Sequence, residues 1–110
     1  MPIFITQGRY TKDAIRGMTS KPEDRAEAVG KLFKQVGGKL IGYYITFGEY
    51  DFLVIGEAAD EHKMAQVLFA TGSSGAVTDL KTTLAIPSAE AKKDFAGAAD
   101  ALKSYRAPGG

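Results

Sequence analysis

The tetrapeptide Gly48-Glu49-Tyr50-Asp51 brings two carboxylates and a phenol together between two apolar, strand-like runs. A carboxylate beside a phenolic hydrogen-bond donor could abstract a proton next to a carbonyl group. In that interpretation Asp51 or Glu49 acts beside Tyr50 or Tyr44 at the mouth of a cleft. The same residues suit a hairpin loop, in which glycine supplies backbone freedom and aspartate bonds nearby amides. The sequence predicts a turn and leaves open a site with Asp51 and Tyr50 as its catalytic residues.

Five side chains form the predicted ligand-binding set: Arg9, Tyr44, Phe47, Glu49 and His62. Tyr44 and Phe47 would line an aromatic pocket, although such a composition is equally common in ordinary cores. Arg9 and Tyr10 close the first predicted strand, where they could contact an anionic ligand; alternatively, Arg9 pairs with a surface carboxylate. His62 is the single histidine and lies among charged residues in the first turn of a predicted helix, where the alternative role is a solvated surface.

The composition argues against several classes of site and partner. With no cysteine and one histidine, the chain lacks thiol nucleophiles, disulfides and thiolate metal sites, and we predict no metal and no cofactor. The 14 basic and 13 acidic residues are interspersed and leave a net charge of +1, which argues against a nucleic-acid partner. No segment approaches the ~18 apolar residues of a membrane span, so we expect a soluble, cytoplasmic protein without a membrane partner.

Apolar periodicity predicts the elements that position the candidate residues. Strands are expected at 2–9, 39–46, 51–58 and 76–87, and helices at 21–37, 60–71 and 88–105. Residues 11–19 are expected to form a helical turn or loop, because the segment is short and contains glycine. Ser20, three residues before Glu23, has the spacing of a capping box and indicates the start of the first helix. Asp60 and Ser88 are expected to cap the second and third helices.

The order of these elements is strand, helix, strand, strand, helix, strand, with an added C-terminal helix. It predicts an α+β, ferredoxin-like fold: a four-stranded antiparallel sheet with helices on one face. At 110 residues and 45% hydrophobic content, the chain has room for one domain. We place that domain at residues 1–105 and a frayed tail at 106–110.

The helix-free face of this sheet is apolar in either strand register. It would carry Leu53 and Ile55, or else Phe52 and Val54. Because an apolar face of several hundred Å² is rarely left in water, a second copy should cover it. We therefore predict a homodimer or a multiple of dimers.

The segment GGKLIGYYITFGEYDFLVIGEAAD resembles the GYD domain family, whose name comes from the residues that are here Gly48, Tyr50 and Asp51. A Pro-x-x-Arg-Ala-Glu run at 22–27 and the threonine-rich strand TTLA extend the resemblance over roughly residues 3–87. The resemblance implies the dimeric α/β-barrel superfamily, which includes cofactor-free monooxygenases, muconolactone isomerase-like proteins and YCII-like proteins. It does not imply one reaction, because a fold hosts many functions.

Two functions fit these residues. The first is a module that binds a small apolar or aromatic molecule, or that serves assembly, without catalysis. The second is a cofactor-independent enzyme, monooxygenase- or isomerase-like, that acts on an aromatic or keto-enol substrate. A regulatory partner of another protein is a third hypothesis.

Overall fold

The computed structural model describes residues 1–110 and contains four strands and four helices. Their bounds in chain order are β1 Ile3–Tyr10, α1 Lys12–Ser20, α2 Arg25–Gln35, β2 Lys39–Ile45, β3 Phe52–Glu57, α3 Glu61–Ser73, β4 Val77–Ala85 and α4 Ser88–Ala101. The strands form one antiparallel sheet in the order β2-β3-β1-β4. This is the predicted α+β, ferredoxin-like fold with an additional C-terminal helix. No helix combines the length and hydropathy needed to cross a membrane.

Helices α2 and α3 cover one face of the sheet, and the core lies between them and the strands. The buried hydrophobic residues are Phe4, Val29, Phe33, Phe52, Val54, Ala58, Met64 and Val67. Phe33 is 1% exposed and packs on Gly56, where a Cβ atom would come within 2.5 Å of the Phe33 ring. Glycine at position 56 thus lets α2 approach β3 closely.

The opposite face of the sheet, which we call the open face, carries Leu53 and Ile55. Ile55 lies opposite Ile5 of β1, and Leu53 lies opposite Tyr44 of β2. Residues directly opposite one another in an antiparallel pair share a face, so Ile5 and Tyr44 also belong to the open face. Every buried helix residue belongs to the core on the other side.

A β-bulge at Ile41 changes the alternation of β2. The register shifts between Leu40 and Gly42, so Leu40 lies opposite Gly56 and Tyr43 lies opposite Val54. Leu40 and Tyr43 therefore both pack toward the helices. Strict alternation along β2 would place Leu40 and Tyr43 on opposite faces, but the one extra residue of the bulge reverses the faces beyond it.

The prediction of a turn or loop at 11–19 is wrong, since α1 occupies this segment. The Thr11 side chain caps the helix by accepting a hydrogen bond from the Ala14 N–H at 3.2 Å. A glycine inside a helix costs only about 1 kcal/mol relative to alanine. The cap and the following turns offset the cost of Gly17, which sequence reasoning weighted too heavily.

The start of α2 also differs from the prediction. Ser20 ends α1, and its hydroxyl donates to the Arg16 carbonyl oxygen at 2.9 Å instead of capping α2. The Asp24 carboxylate caps α2 by accepting from the Ala26 N–H at 2.9 Å. Asp60 caps α3 as predicted, through the Lys63 N–H at 2.9 Å.

Helix α4 extends away from the sheet and buries none of its residues. The Cα radius of gyration is 17.9 Å, whereas a compact domain of this size has roughly 13 Å. The apolar seam that includes Phe95, Leu102 and Tyr105 is consequently exposed. Pro87, not Ser88, occupies the N-cap position and makes no side-chain cap bond, so the predicted Ser88 cap is wrong.

Candidate functional site

A cavity of about 60 Å³ lies between the sheet, α2 and α3. Of the 15 residues that line it, 11 are hydrophobic, tyrosines included, so most of its wall is apolar. Helix α2 contributes Val29 and Phe33 to that wall, and α3 contributes Met64, Val67 and Leu68. An apolar wall with a few polar groups is the usual composition of a small-molecule site.

Two phenols line the cavity from the sheet side, Tyr10 at the end of β1 and Tyr43 on β2. Their hydroxyl groups form a short hydrogen bond with one another. Both rings pack against Phe52 of the intervening strand, with centroid distances of 5.0 Å for Tyr10 and 6.0 Å for Tyr43. The bulge at Ile41 is what turns Tyr43 toward the helices, and so it assembles this pair.

Burial raises the pKa of Tyr10 above its ordinary value of 10.0, and the hydrogen bond with Tyr43 adds to the rise. Burial also raises the pKa of Tyr43, while the bond with Tyr10 and the Arg25 guanidinium act in the lowering direction. The geometry allows either hydroxyl to donate to the other. Both phenols are neutral near pH 7.

Arg25, the first residue of α2, is the one charged residue among those lining the cavity. Its side chain is half-buried, and its Nη1 atom lies 3.1 Å from Oε1 of the exposed Glu23. The guanidinium lowers the pKa of both phenols against the rise that burial causes, so its charge reaches the tyrosine pair. Tyr10, Tyr43 and Arg25 thus form the polar cluster of the cavity.

The remaining hydroxyl groups of the lining are bonded within the protein. Thr71 Oγ1 donates to the Val67 carbonyl oxygen at 3.0 Å, and Ser74 Oγ donates to the Thr71 carbonyl oxygen at 2.6 Å. Thr6 Oγ1 lies 2.9 Å from Thr82 Oγ1, which is outside the lining. No carboxylate and no histidine lines the cavity.

The tetrapeptide 48–51 joins the ends of two strands and lies outside the cavity lining. Asp51 Oδ2 accepts a hydrogen bond from the Tyr10 backbone N–H at 2.9 Å, and the Asp51 N–H donates to the Gly8 carbonyl oxygen at 2.8 Å. Gly48 has a φ of 116°, in the region that favours glycine, as the turn interpretation predicts. The Asp51 carboxylate therefore fixes the backbone of a residue whose phenol lines the cavity.

The other predicted site residues lie at the surface. Arg9 Nε donates to the Glu49 carbonyl oxygen at 2.8 Å, and its guanidinium carbon lies 5.9 Å from the centroid of the Tyr50 ring. These three residues form an exposed cluster beside the turn. Their ligand-binding and catalytic roles stay predictions.

Tyr44, Phe47 and His62 are not brought together with that cluster. Tyr44 lies on the open face, with its ring over Gly42. Phe47 is 97% exposed in the loop after β2, and His62 is exposed on α3, 3.7 Å from the Glu61 carboxylate. The structure thus divides the predicted ligand-binding set among four places: the turn, the open face, the loop after β2 and the surface of α3.

Sequence reasoning did not identify Tyr43 or Arg25 as site residues, and it considered Tyr10 only together with Arg9, as a contact for an anionic ligand. Arg25 belongs to the Pro-x-x-Arg-Ala-Glu run, which was a signal for the family but not for a cavity. Tyr43 could not be placed because the bulge at Ile41 decides which face it occupies. The one feature of the sequence that pointed to Tyr10 as a site residue is its position directly after Arg9.

Two comparisons bear on the family of the chain. A model of the GYD domain matches residues 4–94. A Thermus thermophilus protein described as a glutamine synthetase and cystathionine beta-lyase binding protein is 31% identical over 90 residues. That match covers 82% of this chain and 94% of the relative.

Solved structures share the fold at low identity. The crystal structure of a Thermus thermophilus protein has a TM-score of 0.51 at 18% identity and covers 79% of this chain and 95% of the other. A Neisseria meningitidis transcriptional regulator in complex with L-methionine has a TM-score of 0.55 at 15% identity, over 78% of this chain and 50% of the regulator. These similarities show the fold alone. With the domain model matching residues 4–94 and the relative 31% identical, the chain belongs to the GYD domain family.

Proposed function

We propose that this GYD domain protein is a self-assembling module that binds a small molecule of apolar or aromatic character without catalysis. The cavity between the sheet, α2 and α3 carries the proposal, because it combines apolar walls with one polar cluster. Its lining offers no carboxylate or histidine as a general base. That composition favours binding over the alternative, a cofactor-independent enzyme acting on an aromatic or keto-enol substrate. The regulator bound to L-methionine gives a precedent for a small ligand on this fold, at the level of analogy.

A ligand screen tests the binding function. Aromatic acids, quinones and keto-enols are added to the protein, and binding is measured by thermal shift and by NMR chemical-shift changes. Thr71→Phe places a ring in the cavity lining, and Gln66→Phe adds the same ring to the exposed surface of α3. We expect a compound that binds the wild type and Gln66→Phe but not Thr71→Phe.

Other outcomes of the screen point elsewhere. A compound bound equally well by Thr71→Phe occupies some other surface and contradicts the cavity proposal. Conversion of a bound compound to product, followed by NMR, favours the enzyme. If no compound binds, the assembly role alone is left.

We also propose that a second copy of the chain covers the open face. Leu53, Ile55, Ile5 and Tyr44 form an apolar surface there that no helix of the same chain buries. A second copy would remove this surface from water, at a gain of about 25 cal/mol per Å² of apolar area. Sedimentation velocity should give a dimer or a multiple of dimers, and a single species near 11.7 kDa would contradict the proposal.

A second candidate function is binding to another protein. The Thermus relative is described as binding glutamine synthetase and cystathionine beta-lyase, and the two chains align over most of their length. We propose these two enzymes, taken from the same source as this chain, as the first partners to test by biolayer interferometry. Two variants of α4 test whether its exposed apolar side chains make the contact. Phe95→Ser removes an apolar ring and should weaken binding, whereas Lys92→Ser removes a charge from the same helix and should not. Binding of neither enzyme at micromolar concentration would contradict this candidate.

A further inference from the structure

We infer that the cavity selects a small monocarboxylate, held by the Tyr10–Tyr43 hydroxyl pair and Arg25, with its apolar body against α2 and α3. The inference rests on the binding function proposed above and adds the chemical class of the ligand. Three features of the cavity carry it: a spare hydroxyl proton, a cation without a partner inside the cavity, and apolar walls.

The tyrosine pair has a hydrogen-bond donor to spare. Each neutral phenol carries one O–H, and the two hydroxyls are joined by a single hydrogen bond. Either hydroxyl can donate to the other, and in both cases one O–H proton of the pair has no acceptor within the protein; both residues line the cavity. A ligand must therefore present an oxygen acceptor to this pair, because an unmet donor in a partly buried site costs binding free energy.

The Arg25 guanidinium favours a ligand whose oxygen acceptor carries a negative charge. A guanidinium has several N–H donors, and the one bond that Arg25 makes is to Glu23 on the solvent side. No anionic side chain lines the cavity, so nothing inside it neutralises this cation. A carboxylate fits the planar fork of a guanidinium with two parallel hydrogen bonds, whereas an ammonium group would be repelled.

The rest of the cavity sets the body of the ligand. Met64, Val67 and Leu68 present apolar surface, and the Thr71 and Ser74 hydroxyls donate to backbone oxygens of their own helix. A second charged or hydroxylated end would find no free donor there. At about 60 Å³ the cavity is far below the roughly 300–1,000 Å³ of drug-sized sites, which favours a compact acid.

A matched pair of probes tests the class directly. Isobutyrate and isobutyramide have nearly the same shape, but only isobutyrate is an anion. Each is titrated into uniformly ¹⁵N-labelled protein, and the dissociation constant is obtained from the shifts of cavity residues such as Thr71. We expect isobutyrate to bind at least about tenfold more tightly than isobutyramide, the size of one charge-assisted hydrogen bond.

Three variants assign the recognition to named groups. Arg25→Gln should weaken isobutyrate binding about tenfold and remove the preference over isobutyramide. The double variant Tyr10→Phe/Tyr43→Phe keeps both rings on Phe52 and removes both hydroxyls of the pair, so it should weaken both probes. Lys31→Gln removes an exposed cation from the same helix and should leave both dissociation constants unchanged. Circular dichroism and melting temperature establish that each variant is folded.

The outcomes separate the two proposals. Equal affinity for the two probes, or failure of isobutyrate to bind while a screened compound without a carboxylate does, overturns the monocarboxylate class and leaves the binding function standing. Isobutyrate binding that survives both Arg25→Gln and the double variant Tyr10→Phe/Tyr43→Phe overturns it as well. If neither the probes nor the screened compounds shift cavity resonances, the binding function itself fails. Should Arg25→Gln not fold, the wild-type comparison of the two probes still decides.

Discussion

On the helix-covered face of the sheet Phe52 and Val54 are 4% and 6% exposed, whereas on the open face their chain neighbours Leu53 and Ile55 remain partly exposed. The four residues alternate along β3 and have similar hydrophobicity. They differ only in what lies above them, which is α2 and α3 on one side and no element of the same chain on the other. Both faces are apolar enough to need cover, and the helices of the chain supply it for one face, which leaves the open face for the second copy proposed above.

The covered face is also less uniform than the open face. Phe33 and most of the other buried core residues also line the cavity, which in addition carries two hydrogen-bonded phenols, Tyr10 and Tyr43. The apolar wall therefore contributes to both stability and the proposed ligand site, whereas the tyrosine pair gives this part of the face its polar character. The following predictions test this comparison of the two faces.

The largest effect is expected in the core. Phe33→Ala removes a ring that is 1% exposed and leaves a void over Gly56, so it should lower the free energy of unfolding by about 3–5 kcal/mol. Urea unfolding followed by circular dichroism measures the change. Phe69→Ala, at an exposed position of α3, should cost no more than about 0.5 kcal/mol. Equal costs for the two substitutions would show that the core is elsewhere.

The open face should respond in its assembly and not in its fold. Leu53→Asp buries an unpaired carboxylate if a second copy covers it, at a cost of about 3 kcal/mol of association free energy. Sedimentation velocity should then show a monomer with an unchanged circular dichroism spectrum. Phe69→Asp, an exposed apolar residue away from this face, serves as the control and should stay assembled. A fully assembled Leu53→Asp would mean that another surface makes the contact.

The elements of the two layers were predictable, because apolar periodicity and caps such as Asp60 are local properties of the sequence. The cavity was not, since it depends on the bulge at Ile41, which alternation along β2 does not reveal. The geometry of the tetrapeptide 48–51 was predictable in part. Its turn geometry followed from Gly48, but the bond from Asp51 to the Tyr10 backbone joins residues that are 41 positions apart.

Alkaline pH should weaken the covered face through the tyrosine pair. Folding raises the pKa of Tyr10 and Tyr43 above 10.0, so the folded state keeps protons that the unfolded state releases. The contribution of the pair is complete below about pH 10 and is lost as the pH rises further. The free energy of unfolding, measured by urea between about pH 8 and pH 11, should fall more steeply for the wild type than for Tyr10→Phe/Tyr43→Phe. Parallel curves would contradict the raised pKa values.

A smaller effect is expected in the turn that joins the strand ends. Gly48 has a φ of 116°, and nothing lies within 4 Å of where a Cβ atom would be, so the cost of a side chain is conformational and not steric crowding. Gly48→Ala should lower the free energy of unfolding by about 1 kcal/mol. Gly72 in α3 also has no neighbour within 4 Å of a Cβ position, so Gly72→Ala should raise the free energy of unfolding by at least about a few tenths of a kcal/mol. Two changes of the same sign would contradict a backbone origin.

The smallest effect is expected at Asp51, and it separates a turn from a site. In Asp51→Asn the amide oxygen can still accept from the Tyr10 N–H, so the free energy of unfolding should change by less than about 0.5 kcal/mol. Asp51→Ala leaves that N–H without its partner and should cost about 1 kcal/mol. If Asp51 only holds the Tyr10 backbone, Asp51→Asn keeps the wild-type affinity for a screened ligand, and Asp51→Ala weakens it by displacing the phenol. Loss of affinity in Asp51→Asn at unchanged stability would instead identify the charge itself as the functional group, and would return the tetrapeptide to the site.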